Sequence, residues 1–316
     1  MARFVIRRVS SMIAVLFAIS VLTFLIFQAI PNGDPALRLA GRLATPQTIQ
    51  DVRRQWGFDK PLYVQYVKTM GKIIDGQVIS YQQQQNVEDE IAHDLPVTIS
   101  LAVGSAVIWL VIGIIFGVLS AVRAGQWLDR LLTVIAMFGV SMPVFFLAAL
   151  LDYYLGYKWG LFPIGGYVKL TSNPWGWLTH LILPWASIVA LSVGVYSRVL
   201  RSNVLDTLGE DYVRTARAKG LSERRVLLHH VLRNSLVPIV SLWGLDLAAL
   251  FGGATLLTES VFNLHGVGQY AAESIGHLDV PPILVITMLT AFFVVVFSAL
   301  TDIVYAALDP RIRLTG

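Results

Sequence analysis

The residues with the most chemical potential in this chain are a few carboxylates set in or beside long apolar runs, and one basic stretch between two such runs. Asp246 sits near the middle of a run, with Gly244 before it and Gly252-Gly253 after it. Asp302 lies near the end of another, Asp152 stands beside Tyr153 and Tyr154, and Glu259 follows the run that holds Asp246. An ionised group in hydrocarbon is costly, so at membrane depth it faces a cavity or a polar partner. Asp246 therefore has two readings: a charge facing a cavity or a second subunit, or a buried carboxylate tying two helices together. Asp302 reads as paired with a basic residue or the headgroup layer, and Asp152 as solvated at the interface. Glu259 reads either as a contact surface at the far face or as support for a helix or loop.

Catalytic patterns are missing. No G-x-x-x-x-G-K-[ST], G-x-S-x-G or H-E-x-x-H occurs, so no P-loop, nucleophile elbow or zinc-protease helix is expected. Cysteine is absent, which excludes disulfides, thiolate metal sites and cysteine nucleophiles. His180, His229, His230, His265 and His277 show no metal-ligand spacing on one helix. No metal site is expected.

Composition sets the environment. Of 316 residues 55% are hydrophobic and 14% charged, against roughly 25% charged in soluble domains. The mean hydropathy is +0.66. The net charge of +4 is modest and gives no hint of nucleic-acid binding. Crossing a hydrocarbon core takes about 20 apolar residues as helix. Six segments qualify, at 9–30, 97–122, 131–155, 178–197, 236–257 and 283–307. The expected class is an all-α integral membrane protein with six transmembrane helices and both termini on one side. The first run follows Arg3, Arg7 and Arg8 and lacks an A-x-A-like site, so it reads as a retained anchor. With the termini inside, the inner segments hold 15 of the 24 Lys and Arg, and the two short outer loops hold only Lys158 and Lys169. This bias places both termini in the cytoplasm.

The division expected is residues 1–30 as N-terminus and first helix, 31–96 as an outer subdomain, 97–307 as the membrane core, and 308–316 as a cytoplasmic tail. The outer loop contains helix-like pieces at 46–55 and 61–74 and a polar run from Gln82 to Asn86. Trp159, Trp175 and Trp177 are expected at headgroup level in an interfacial loop. Pro143, after Met142, and Pro184 should kink their helices. Gly113 and Gly117 form a small-xxx-small pair suited to close helix approach.

The basic stretch runs from Glu210 to Arg225 inside a cytoplasmic segment, 198–235. Asp206 and Thr207 are N-cap types, Ala216 to Lys219 favour helix, and Gly220 suits a helix end. Ser222 can cap a second helix running toward Asn234. Two readings fit a helix, a sharp glycine turn and a helix: an exposed face docked into a groove on a soluble partner, or a basic amphipathic helix resting on anionic lipid.

The stretch from Tyr212 to Ser222 resembles the ATPase-coupling loop of ABC-importer permeases of the dipeptide/oligopeptide/nickel family. The general loop signature, Glu-Ala-Ala followed three residues later by Gly, is met at Ala216 and Gly220 but not at Arg214 and Thr215. The resemblance extends through Leu232–Pro238, Gly252-Gly253-Ala254, Glu259–Asn263, Gly266-Val267-Gly268, Asp279, Ala306–Arg313 and Pro31–Pro35, and is weakest at 77–93. It implies a type I importer permease fold with a large outer loop after the first helix. The implied coupling residues are Asp211, Tyr212, Arg214, Thr215, Ala216, Arg217, Ala218, Lys219, Gly220, Leu221 and Ser222. The candidates for the translocation pathway are Met142, Pro143, Phe145, Asp246, Phe251 and Glu259. The implied partners are a second homologous permease, two ATPase subunits or domains carrying ATP and Mg, an extracytoplasmic solute-binding protein that delivers the peptide substrate, and the lipid bilayer. No cofactor is expected on this chain. Nickel chelates, glutathione-like compounds and sugars are alternative cargoes. An ATP-independent secondary transporter is the rival class, and a docking loop of this size fits it poorly.

Overall fold

The computed structural model describes residues 2–29, 34–40 and 45–308. Pro31-Asn32-Gly33, the side chains of Arg3, Arg7, Arg8 and Asp302, and the tail from Asp309 onward lie outside the described residues. The described chain is helical, with one isolated bridge between Ile79 and Asn86. In order the helices are α1 Ala2–Ala29, α2 Pro35–Ala40, α3 Pro46–Trp56, α4 Leu62–Ile74, α5 Val87–Val122, α6 Trp127–Ser141 and α7 Val144–Leu151, which continues as a π-helical turn Asp152–Lys158. Then come α8 Pro174–Leu208, α9 Asp211–Ala218, α10 Glu223–Arg225, a π-helical turn Val226–Val231 and α11 Leu232–Ser235. The last are α12 Val237–Ala249, a π-helical turn Leu250–Ala254, α13 Leu256–Val261, α14 Val267–Gly276 and α15 Val280–Leu308.

Among the described residues five helices are long and apolar enough to cross a membrane, and the pair formed by α6 and α7 with its π-helical turn, bent by 100°, makes six if it counts as one broken span. The break falls at Met142, whose backbone is extended (φ −109°, ψ 136°), and Pro143. Proline disfavours helix in the residue before it and cannot donate to the preceding turn. The run at 131–155 is thus two helical segments joined at a sharp bend. Pro184, by contrast, lies within the continuous helix α8, and Pro96 within α5.

Two helices exceed their apolar runs. Asn86 caps α5 by accepting from the Asp89 N–H (3.0 Å), and Glu88, Asp89 and Glu90 occupy its first turn, where carboxylates suit the helix dipole. The helix therefore starts ten residues before the apolar run, and its 36 residues span about 54 Å. α8 starts at Pro174, capped by Asn173, and runs 35 residues to Leu208. Asp206 and Thr207 accordingly lie in its last turn rather than capping the next helix, because the helix continues past the membrane into the polar segment. α5 and α8 pack closely: a Cβ on Gly113 or Gly117 would come within 2.8 Å of Tyr196 or Leu200. The main core lies between these helices, around Leu101, Trp109, Leu181, Tyr196 and Leu200.

Candidate functional site: an exposed basic ridge and a membrane-depth carboxylate

The overhanging end of α8 carries the basic stretch. After a turn at Gly209, α9 lies with Val213 and Ala216 buried. These two join Leu200, Val204, Val226 and Val231 in the main core, so the helix is anchored to the membrane bundle by its apolar face. Gly220 takes φ +80°. Its N–H bonds to the Arg217 carbonyl (2.9 Å) and the Leu221 N–H to that of Ala216 (3.4 Å), the wrap-back pair of a Schellman end. The turn is braced by Arg217, whose guanidinium donates twice to Glu223 (2.8 and 3.1 Å). Tyr212 receives a hydrogen bond from Asn234 Nδ2 (2.7 Å), and Ser235 donates to the Asn203 carbonyl (3.2 Å).

Of the eleven sequence-derived residues, Asp211, Tyr212, Arg214, Thr215, Arg217, Ala218, Lys219, Gly220 and Ser222 are exposed, Leu221 is half-buried and Ala216 is buried. Exposed Arg224 and Arg225 extend the ridge. The result is a short basic helix seated on two buried residues, with its outer side exposed.

At membrane depth, Asp246 on α12 is exposed on the surface of this chain and accepts a hydrogen bond from the Tyr196 hydroxyl of α8 (2.8 Å). The contact ties α12 to α8, but the carboxylate is exposed on this chain rather than buried between the helices. A carboxylate open to lipid tails is strongly disfavoured, so this face meets water or protein. At the helix break Pro143 is exposed, Met142 half-buried, and Phe145 47% exposed.

Two pathway candidates are corrected. Phe251 is buried, with its ring 4.8 Å from Phe297 and 4.9 Å from Phe293. The chain leaves helical geometry at Gly253 (φ 108°), and the turn before it directs Phe251 into the packing against α15. Glu259 is fully buried within this chain. Its carboxylate accepts from the Thr98 hydroxyl and the Gln269 N–H, both at 2.9 Å, and a Cβ on Gly266 or Gly268 would collide with it. Glu259 thus fastens α5, α13 and α14 together. Burial pushes its carboxyl above the usual glutamate range, opposed by these hydrogen bonds. Trp177 is also redirected: it packs edge-on against Trp185 and donates to Ser100, while Trp159 and Trp175 are exposed.

Sequence reasoning missed two polar clamps. Asp129 accepts two bonds from Arg201 (both 2.8 Å), one from the Gly125 N–H (2.8 Å) and one from Ser120, locking the α5–α6 turn to α8. Asp279 accepts from Ser80 Oγ (2.5 Å) and the N–H groups of Tyr81 (2.9 Å) and Gln82 (3.2 Å). It holds the start of the glutamine run against the α14–α15 connection. The signal for the first was an acid in a helix first turn, four residues after a glycine. For the second, the resemblance included Asp279 but nothing pointed to its partners Ser80, Tyr81 and Gln82.

A bundle of crossing helices with a basic helix seated on the overhang of α8 has the architecture of an ABC-importer permease. The fold matches the MetNI methionine ABC transporter in an inward-facing crystal form, with a TM-score of 0.55 at 18% identity over 69% of this chain and 96% of that one. Residues 113–314 match the binding-protein-dependent transport system inner membrane component, and residues 1–102 match the N-terminal region of such components. The chain belongs to this family and is a multi-pass inner-membrane protein with the type I importer permease fold. It is 38% identical over 315 residues to a peptide transport system permease of Brucella abortus, covering 99% of each chain. It is 35% identical over 314 residues to a peptide ABC transporter permease of Sinorhizobium fredii, covering 99% of this chain and 100% of that one. The glutathione transport system permease of Escherichia coli K12 is 37% identical over 314 residues, again covering 99% of each.

Proposed function

We propose that this chain is one of two permease subunits of an ATP-driven importer that takes peptides from an extracytoplasmic binding protein and passes them into the cytoplasm. The observation that carries the reading is the docking ridge: an exposed basic helix whose only buried residues, Val213 and Ala216, are packed into the core of the membrane bundle. ATP and Mg chemistry belongs to two partner ATPases in this reading. Their closure would push on Asp211–Ser222, and α8 would carry the displacement to the helices it packs against. Asp246 and the bent region at Met142, Pro143 and Phe145 would face the cargo route or the second permease. Both termini are cytoplasmic in this reading, residues 31–96 lie outside, the core 97–307 carries the coupling segment 198–235, and the tail 308–316 is inside. The cargo class is supported by the names of the relatives. Glutathione, itself a tripeptide, is the second candidate because a glutathione permease is as similar as the peptide permeases.

The test is mild-detergent co-purification of a tagged copy from its native cells, with cross-linking from a cysteine placed at Arg214. Recovery of a second six-span permease, and of P-loop ATPases cross-linked to that cysteine, is expected. Recovery of this chain alone, or only as a homo-oligomer, overturns the reading. Uptake of di- and oligopeptides against glutathione in the reconstituted importer then separates the two cargoes.

A further inference from the structure

α4 belongs by sequence to the outer loop, yet it touches α1 well inside the membrane. The apolar window of α1 runs Val9–Ile26. At 1.5 Å per residue, Ser20 lies about 9 Å and Phe17 about 14 Å from its far end. A typical tilt near 20° shortens these depths by less than a tenth. Ser20 gives its hydroxyl proton to the Phe17 carbonyl (2.7 Å), which leaves the Tyr66 hydroxyl to donate to Ser20 Oγ (2.6 Å). The Tyr66 ring meets Phe24 edge-on at 5.5 Å and Phe17 at 6.4 Å. The α4 residue Tyr66 thus reaches hydrocarbon depth, with its one polar atom satisfied by α1.

The other faces of α4 agree with this depth. Tyr63, Val67, Met70 and Ile74 recur at i, i+4, i+7 and i+11, one stripe of a helix. Tyr63 is 72%, Val67 65% and Ile74 84% exposed. On the opposite side Lys68 Nζ donates to the Arg54 carbonyl (3.2 Å), and Lys72 Nζ lies 3.7 Å from the centre of the Trp56 ring. α3 therefore roofs the polar side of α4 and leaves Tyr63, Val67 and Ile74 bare, with Met70 half-buried between them. An amphipathic helix with lysines on its polar side and a stripe at this depth fits a membrane interface.

We infer that α4 is embedded in the leaflet at the C-terminal end of α1, with Tyr63, Val67, Met70 and Ile74 against lipid and α3 between it and water. The segment following the first crossing is then a lipid-seated hairpin rather than a free outer subdomain.

The chain has no cysteine, which permits single-site labelling. Val67→Cys and Ile74→Cys would carry a nitroxide in the importer assembled with cysteine-free partner subunits in bilayers. Gln50→Cys, exposed on α3, is the water standard, and Ile13→Cys, exposed on α1, the lipid standard. Power-saturation electron paramagnetic resonance reads collisions with oxygen and with a water-soluble nickel chelate. The expected oxygen-to-nickel ratio at both stripe sites is several-fold above that at Gln50→Cys and near that at Ile13→Cys. A ratio equal to that at Gln50→Cys overturns the inference by placing the stripe in water. Silence toward both reagents overturns it by placing a protein surface over the stripe.

Discussion

Replacing Gly220 tests whether backbone conformation or side-chain bulk governs the docking turn. At φ +80° an ideal Cβ on Gly220 meets nothing within 4 Å. Substitution costs conformation and no packing. An L-residue held in the left-handed region loses about 1–2 kcal/mol, asparagine less, and β-branched residues most. A cost of 1–2 kcal/mol lowers the population of the native turn by roughly 5- to 30-fold relative to glycine. The two wrap-back bonds at Arg217 and Ala216 are lost with it. Insertion and folding of the bundle should be unaffected, because the turn is exposed and the buried anchors of the helix, Val213 and Ala216, are untouched. The assay is peptide uptake and ATP hydrolysis measured together in proteoliposomes, giving peptide moved per ATP. The expected order is Gly, Asn, Ala, Val, with asparagine outperforming alanine although it is larger. An order that follows side-chain volume, with asparagine below alanine, would refute the argument and show that crowding against the ATPase decides.

Asp129→Ala should destabilise the bundle by about 2–4 kcal/mol, since it leaves Arg201 unpaired, at the lower part of the range because the Arg201 side chain is 33% exposed. A double-mutant cycle with Arg201→Met by SDS titration should return most of that loss, and simple additivity would sink the clamp. Glu259 has a raised carboxyl pKa, so the folded state binds its proton more tightly than the unfolded state. Its stabilisation is full below the ordinary value of 4.5 and is lost as pH rises through the folded value. Glu259→Gln should flatten the fall in melting temperature between acid and neutral pH; an unchanged pH slope would exclude this carboxyl as its source. Asp246→Asn keeps the Tyr196 bond and removes the charge. It should slow uptake of cationic peptides by about fivefold, equivalent to 1 kcal/mol, and leave neutral ones nearly unchanged. Equal effects on peptides of every charge would reduce Asp246 to a helix tie.

Local features were legible because their causes are local. Six apolar runs announced the crossings, since the membrane demands length and hydrophobicity within one segment. The break after Met142 followed from Pro143, and the end of α9 from Gly220, each from the backbone rules of a single residue. The helices at 46–55 and 61–74 emerged as α3 and α4 within a residue or two, carried by Pro46, Pro61 and an amphipathic rhythm.

Helix extents were less legible. α5 begins at Val87 and α8 ends at Leu208, beyond their apolar runs, because a helix continues through polar residues once it is capped and packed. A hydropathy pattern reports where lipid is tolerated, and helix ends are set by caps.

What the sequence determined by itself was the membrane class, the apolar runs of the crossings and a basic, glycine-ended helix. Only the tertiary structure decided that Glu259 and Phe251 turn inward, that Arg201 finds Asp129 across 72 residues, that Asp279 holds Ser80 across 199, and that Tyr66 reaches Ser20. The physical reason is that periodicity marks a face as apolar or polar without naming its neighbour. The fate of a charged side chain depends on which distant donors the packing brings within about 3 Å.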